Sequence, residues 1–478
     1  MINDALYIRR ELMIRLVRAF DADTLADELD HIPIKMRPRD QMPSRCCVYR
    51  DRAVLKYRLM ALLGIGCEEE TDEASTLAAY YRQVQPELPR ANNFPAGREN
   101  APEENSAGRV PLSVCAAACS ACPPSRVVVT GNCRGCFARP CQSSCPKQAI
   151  TVVNQVSTID QAKCVQCGKC VTACPFRAIM KTTVPCEDAC PVGAIRKNDR
   201  GVAQIDFSKC IYCGKCFAAC PFSAILERSQ LLDVLWAMRA GRQVIAIIAP
   251  AAAAQFPGSL EQLFAAVRRA GFSEVIEVAH GAEQTAAAET AEFAERQREN
   301  PGALMTTSCC PAYVELVRKH LPGFLPHVSD TPSPMIYAAQ LARKEFPDAE
   351  IVFVGPCIAK RVEAAQRGVD YVLSFEELGA LLAGRKTDII AENATPFAAP
   401  AADTARGFAY SHGVTAAVQA QAANAGTAAP REPRAIDGID RKALSQLKLY
   451  AAGKLPGDFL EVMACNGGCV NGPGSLRK

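Results

Sequence analysis

The chain has 478 residues, 49% apolar and 22% charged with a net charge of +4, the bulk composition of a soluble protein with room for about three domains. The longest apolar run, Val244 to Gln255, is too short to span a bilayer, and the start Met1-Ile2-Asn3-Asp4-Ala5 lacks the basic and apolar regions of a signal peptide, so neither membrane nor export is expected. The 25 cysteines therefore read as metal ligands of a cytoplasmic protein rather than as disulfides. In chain order, residues 1–82 read as a mainly helical N-terminal region. Leu12, Met13, Leu16, Val17 and Phe20 recur at helical spacing, and Tyr57, Met60, Ala61 and Leu62 begin a second stripe. Residues 83–112, polar and rich in Pro, Gly and Asn, read as a linker. Residues 113–230 hold most of the cysteines. From 231 to 478 the pattern becomes α/β: VIAIIAP is a buried strand, Leu260–Ala270 a helix, EVIEVA a strand, and IVFVGP a strand ending at a cysteine. Residues 386–435 are Ala-rich and less regular, and no structure is assigned to Ala394–Ala405.

Residues 111–230 carry 14 Lys and Arg against 6 Asp and Glu, an excess of eight. A nucleic-acid patch is the bland reading. Metal clusters bound by several thiolates carry negative charge, so charge compensation or docking of an acidic carrier protein is preferred, with no nucleic acid expected.

Two segments follow the bacterial ferredoxin run C-x2-C-x2-C-x3-C-P: Cys164, Cys167, Cys170 and Cys174 before Pro175, and Cys210, Cys213, Cys216 and Cys220 before Pro221. Three cysteines of such a loop reach one cube, and the fourth is expected to start a helix that carries it to the neighbouring cube. Cys133, Cys136, Cys141 and Cys145 before Pro146 repeat the run with the middle gap two residues longer, and Cys186 and Cys190 before Pro191 form half of another. Residues 113–230 therefore read as tandem α+β ferredoxin-like 4Fe–4S domains. The expected clusters are Cys133, Cys136, Cys141 with Cys174; Cys164, Cys167, Cys170 with Cys145; and Cys210, Cys213, Cys216 with Cys190. Cys186 and Cys220 remain, and two of Cys115, Cys119 and Cys122 would complete a fourth set. A radical-SAM triad and a zinc or empty structural triad stay open for those three. Cys46, Cys47 and Cys67 have no ligand spacing.

Cys310, Cys357, Cys465 and Cys469 lie far apart in TTSCCPAYVE (306–315), VGPCIAKRVEA (354–364) and EVMACNGGCVNGPG (461–474). Scattered cysteines at strand ends and turns suit a single site on a fold. Gly467, Gly468, Gly472 and Gly474 let backbone approach a bulky cofactor. Here the chain closely resembles the iron-only (FeFe) hydrogenases, whose signatures are TSCCPxW, MPCxxKxxE and ExMACxxGCxxGGG. The likeness covers roughly residues 231–474 and is greatest to the branch often called group B.

The resemblance implies an α/β catalytic domain of the hydrogenase large-subunit type carrying an H-cluster, a 4Fe–4S cube joined to a diiron unit with CO, cyanide and a dithiolate amine. It implies that Cys310, Cys357, Cys465 and Cys469 hold the cube, with Cys469 bridging. Lys360 would donate to one cyanide, Pro250 and Ala251 would sit against the other, and Met463 would pack near the bridging carbonyl. Cys309 would pass protons, served by Glu289, Glu292, Ser329 and Arg296. Each has a bland alternative: a surface lysine, core filling by methionine, a solvated helix face for the two glutamates. The implied activity is reversible hydrogen formation from protons and electrons, with ferredoxin or a similar carrier as partner and diiron maturation enzymes supplying the cofactor. A low-turnover hydrogen sensor and a non-catalytic iron–sulfur assembly protein are the alternatives. The chain departs from the signatures at Gly355 (Met in the family), Ala251 (Ser), Tyr313 (Trp) and Pro473 (Gly), which bears on rate and direction more than on cluster binding.

Overall fold

The structure is a computed structural model that describes residues 4–40, 42–43, 47–70, 72, 74–84, 110–119, 122–394, 396–397 and 399–476. Cys46 and most of the expected linker lie outside the described residues. Among the described residues no helix is long and apolar enough to cross a membrane.

The first helical stripe forms the helix Asp4–Asp21, which buries Leu12, Leu16, Val17 and Phe20. It packs against the helix Phe375–Gly384, where a Cβ on Gly384 would lie 2.6 Å from Val17 Cγ1. Arg9 and Arg10 pair with the buried Glu376, and Arg10 donates to the Leu476 carbonyl at 2.7 Å. The second stripe was expected to begin at Tyr57. It instead ends a helix, Val48–Leu62, whose start carries polar residues that hide the periodicity. That helix leans on the cysteine-rich region, with Arg58 donating to the Phe222 carbonyl and Ser229 N to that of Ala61.

The cysteine-rich region is built from short antiparallel pairs. Strand β1 (Leu112–Val114) starts inside the span read as linker. It is followed by β2 (Arg126–Val129), β3 (Ile150–Val153), β4 (Val156–Ile159), β5 (Ile179–Thr182), β6 (Ile195–Lys197), β7 (Ala203–Ile205) and β8 (Ile225–Glu227). The pairs are β1 with β8, β2 with β5, β3 with β4 and β6 with β7. Gly168 and Gly214, at φ +79° and +72°, turn the loops into the helices Lys169–Ala173 and Lys215–Ala219. Cys174 and Cys220 cap the C-terminal ends of these helices, as Cys190 caps Pro185–Ala189. The fourth cysteine thus ends a helix rather than starting one: the helix begins one residue before the third cysteine, and its one turn supplies the displacement between neighbouring sites.

Beyond residue 231, β9 (Val244–Ile248), β10 (Glu274–Glu277), β12 (Glu350–Val354) and β13 (Tyr371–Leu373) form a parallel sheet in the order β10-β9-β12-β13. A second parallel sheet runs β11-β15-β14, from β11 (Met305–Thr306), β14 (Pro433–Asp437) and β15 (Phe459–Met463). β9, β12 and β15 are buried throughout, as strands covered on both faces must be. The 21-residue helix Ala279–Glu299 crosses the helix Pro334–Glu345 at Gly281, where a Cβ would meet the Pro334 carbonyl oxygen at 2.1 Å. The span 386–435 is more regular than its composition suggests, since Gly413–Ala425 is a helix with Val414 and Val418 buried. Alanine runs carry weak periodicity, so the helix was not legible there.

Arg361 fastens the two regions. Its Nε donates to Glu227 of β8 and its Nη2 to Glu377, both at 2.6 Å, with all three side chains largely buried. Arg361→Met leaves two carboxylates facing each other in the interior and is expected to cost about 3–5 kcal/mol. The unfolding midpoint, measured at one scan rate, should fall by about 10 °C. An unchanged midpoint would remove Arg361 from this role.

Candidate active site and cluster cavities

The carboxyl ends of the parallel strands point to one place, as in open α/β sheets generally. Pro250 and Ala251 follow β9, Cys309 and Cys310 follow β11, Cys357 follows β12, and Cys465 and Cys469 follow β15. All of them line one cavity of about 860 Å³, together with Lys360, Met463 and Phe353. The five cysteines are only partly covered by protein, and the surface they retain faces this cavity rather than bulk water. Burial pushes Cys357 and Cys469 up to about 12 and raises Cys310 and Cys465, nearby thiols adding to it at Cys357, Cys465 and Cys469. Four such thiols ionise together only around a cationic centre, which is the demand an iron–sulfur cube meets. Peptide N–H groups of Tyr313, Ala312 and Ala464 favour the thiolate of Cys310.

Lys360 Nζ donates to Ser333 Oγ at 2.7 Å and to Glu363 Oε2 at 2.6 Å, which uses two of its three protons and leaves one for an acceptor in the cavity. Glu363 raises the lysine against the lowering effect of burial, so the ammonium stays charged.

At the far side, Glu289 is fully covered. Its Oε1 accepts from Ser308 N at 3.2 Å while its Oε2 has no hydrogen-bond partner. Burial pushes its carboxyl up to about 8, with Glu292 and Glu461 adding to the rise. Glu292, one turn further on, accepts from Ser329 Oγ at 2.5 Å and Thr331 Oγ1 at 3.0 Å, and pairs with Arg296 at 2.6 Å. Arg296 also donates to the Val328 carbonyl at 3.0 Å and reaches the surface. Ser329, Glu292 and Arg296 are thus joined by direct contacts, and Glu289, one turn away, is buried, so its solvated-face reading does not hold.

The departures from the family signature have physical partners. A Cβ on Gly355 would lie 2.5 Å from Phe353 Cζ and 3.2 Å from Ala249 Cβ, so the Phe353 ring takes the space a side chain at 355 would need. Gly355→Met alone is expected to lower stability by about 1–3 kcal/mol through overpacking. Phe353→Ala in the same chain should recover most of it, and equal midpoints for the single and double variants would refute the exchange. Tyr313 is wholly buried with its hydroxyl 2.8 Å from Thr306 Oγ1. A Cβ on Gly214 would meet Pro473 Cγ at 2.6 Å, so the cysteine loop and the GPG turn touch, and Cys213 of that loop lines the large cavity.

The ferredoxin-type cysteines also sort by geometry. Cys133, Cys136, Cys141 and Cys174 line one cavity of about 400 Å³. Cys145, Cys164, Cys167 and Cys170 line another of about 330 Å³. Cys190 is among the nearest charges to Cys210, Cys213 and Cys216. Among the described residues no three His, Cys, Asp or Glu converge closely enough for a single metal ion, so the thiols stand around spaces rather than points. Cys115 is the exception to the expected set: it is fully buried and shares a hydrogen bond with the Cys67 thiol, away from the cavity its neighbours line.

Some groups received no role from the sequence, although Glu461 opens the EVMACNGGC segment. Glu461 is buried beneath the cavity, accepting from His412 N, Thr415 N and Thr415 Oγ1 at 2.7–2.8 Å. Alternation within β15 gave no sign of it, because both faces of that strand are covered. Phe353 reads as ordinary strand, and Ser333 carries no motif.

Residues 242–473 match the family model described as iron only hydrogenase large subunit, C-terminal domain, and residues 157–180 and 203–226 match the 4Fe-4S binding domain. Iron hydrogenase 1 of Clostridium pasteurianum is 28% identical over 402 residues, 70% of this chain and 68% of that protein. The protein named cytosolic Fe-S cluster assembly factor NAR1 of Eremothecium gossypii is 28% identical over 269 residues, 43% of this chain and 59% of its own length. The chain thus spans just over two thirds of one relative and less of the other. A solved apo FeFe-hydrogenase of Chlamydomonas reinhardtii is 24% identical with a TM-score of 0.42, covering 50% of this chain and 80% of its own. Its matched domain and its 4Fe–4S motifs make the chain a hydrogenase-like iron–sulfur protein.

Proposed function

We propose that the chain is a hydrogenase that interconverts protons, electrons and hydrogen, receiving electrons from ferredoxin or a similar carrier through 4Fe–4S clusters. The observation that carries this reading is the junction at Cys309. A non-ligand thiol lines the same cavity as Cys310, Cys357, Cys465 and Cys469, and the buried carboxyl of Glu289 is the largest charge influence on it. The donor set, the size of the cavity and the Lys360 ammonium in its wall fit an H-cluster, held by those four cysteines. When bound, the H-cluster supplies the redox chemistry of hydrogen. The protein's residues orient and insulate it. Met463, Phe353, Pro250 and Ala251 keep the cavity apolar, and Lys360 offers its remaining N–H to an anionic ligand. Cys309 and Glu289 hold protons at Sγ and Oε2, with Ser329, Glu292 and Arg296 continuing the line outward.

The similarity to a protein named as an assembly factor supports a second reading, a non-catalytic iron–sulfur protein, and a low-turnover sensor is the third. The test is chemical. Protein made anaerobically with the diiron maturation enzymes should show CO and cyanide infrared bands and evolve hydrogen from reduced viologen. Loaded cubes without those bands would overturn the enzyme reading.

A further inference from the structure

The half-motif at Cys186 and Cys190 lacks its first two cysteines: a full C-x2-C-x2-C-x3-C run ending at Cys190 would place them at 180 and 183, where Met180 and Thr183 stand. Cys119 and Cys122 have the missing C-x2-C spacing, more than sixty residues earlier. The strand pairing explains the separation. In one ferredoxin-like unit β2 pairs with β5, from Arg126↔Thr182 to Val129↔Ile179, and encloses β3 and β4. The same plan recurs around it, with β1 paired to β8, from Leu112↔Glu227 to Val114↔Ile225, and β6 paired to β7. One ferredoxin-like unit, residues 126–182, is therefore inserted into another, between Cys122 and Cys186.

We propose that Cys119, Cys122, Cys186 and Cys220 hold a fourth ferredoxin-type 4Fe–4S cluster, its ligands drawn from both sides of the inserted unit. All four line one cavity of about 300 Å³, close in size to the two ferredoxin-type cavities above. The N–H to sulfur pattern repeats too. Ala224 N donates to Cys220 Sγ at 3.3 Å, as Ala149 does to Cys145, Ala178 to Cys174 and Ala194 to Cys190 at 3.2–3.4 Å. Ala203 N donates to Cys119 Sγ at 3.2 Å. Lys197 Nζ pins the donating loop through the carbonyls of Cys119 and Cys122 at 3.3 and 3.1 Å. Cys115 is no ligand, which splits the C-x3-C-x2-C triad and removes the radical-SAM reading.

The position of the site sets its role in the wire. Helix Pro185–Ala189 has Cys186 at one end and Cys190 at the other, and Cys216 and Cys220 bracket the helix beginning at Lys215 in the same way. Each helix thus carries one ligand to this cluster and one to the cluster of Cys190, Cys210, Cys213 and Cys216, about 6 Å apart along its axis. The latter borders the large cavity through Cys213, so the fourth cluster is one step further from it.

The inference does not rest on hydrogen chemistry and is tested on full-length chain made anaerobically without diiron maturation enzymes. Iron, sulfide and zinc are counted, and electron paramagnetic resonance spins are quantified after full reduction. The Cys119→Ser/Cys122→Ser chain should hold about four fewer irons and one fewer spin than the unsubstituted chain, and Cys115→Ser should match the unsubstituted chain. Unchanged iron in the double variant, or an equal loss in Cys115→Ser, would overturn the assignment. Should the double variant not fold, Cys465→Ser, which removes the cube of the large cavity, gives a second count. About 16 irons there support four ferredoxin-type clusters; about 12, or one zinc in place of the missing four, defeats the proposal.

Discussion

Cys309→Ala should leave iron content and the infrared bands in place while lowering hydrogen turnover by about 10²–10⁴-fold, the usual contribution of a positioned proton donor. Burial raises two adjacent cysteines alike, but the groups around them differ. Cys310 caps the helix Pro311–His320, and peptide N–H groups there favour its thiolate, as a metal ligand requires. Cys309 is held well above its ordinary value by burial and then by the charge of Glu289, so it stays a neutral S–H that can give a proton away. Truncating it removes a donor and leaves a small apolar gap in the wall of the cavity. Turnover near that of the unsubstituted protein, with bands intact, would take Cys309 out of the proton path. A loss of four irons instead would make it a ligand, and the roles of the pair would have to be exchanged.

The legible parts of this molecule are those where chemistry is local in sequence. A C-x2-C loop names its own cluster, so the cysteines that line the two smaller cavities could be grouped from spacing alone. The choice among Cys115, Cys119 and Cys122 could not be made that way, because it depends on Ala203, Lys197 and the β1–β8 pairing across the inserted unit. The N-terminal helix was legible as a helix but not as a partner: its docking on Phe375–Gly384 needs Gly384 to admit Val17 and Glu376 to receive two arginines, and neither feature has a pattern. Buried strands hide their functional side chains in the same manner, since with both faces covered Phe353 and Glu461 interrupt no alternation.

Glu289→Gln should cost about 10²–10⁴ in turnover and also change its pH dependence, which a merely structural role would not do. Burial holds the Glu289 carboxyl up to about 8, with Glu292 and Glu461 raising it further and Ser308 N–H opposing them, and Glu289 in turn raises Cys309. Inward delivery needs the carboxyl protonated, so hydrogen evolution should decline as pH rises through about 8. Outward removal needs it ionised, so hydrogen oxidation should climb over the same window. Glutamine keeps the size of the side chain and can hold its carbonyl toward Ser308 N–H, but it has no titrating proton, so both limbs should vanish with the rate. Rates in each direction from pH 6 to 10 for both proteins check this, with circular dichroism confirming the fold. Limbs that persist in Glu289→Gln would belong to another group. Because Glu292 is already engaged by Arg296, Ser329 and Thr331, whereas Glu289 Oε2 has no partner, Glu289 is the one of the two placed to change its protonation with each turnover.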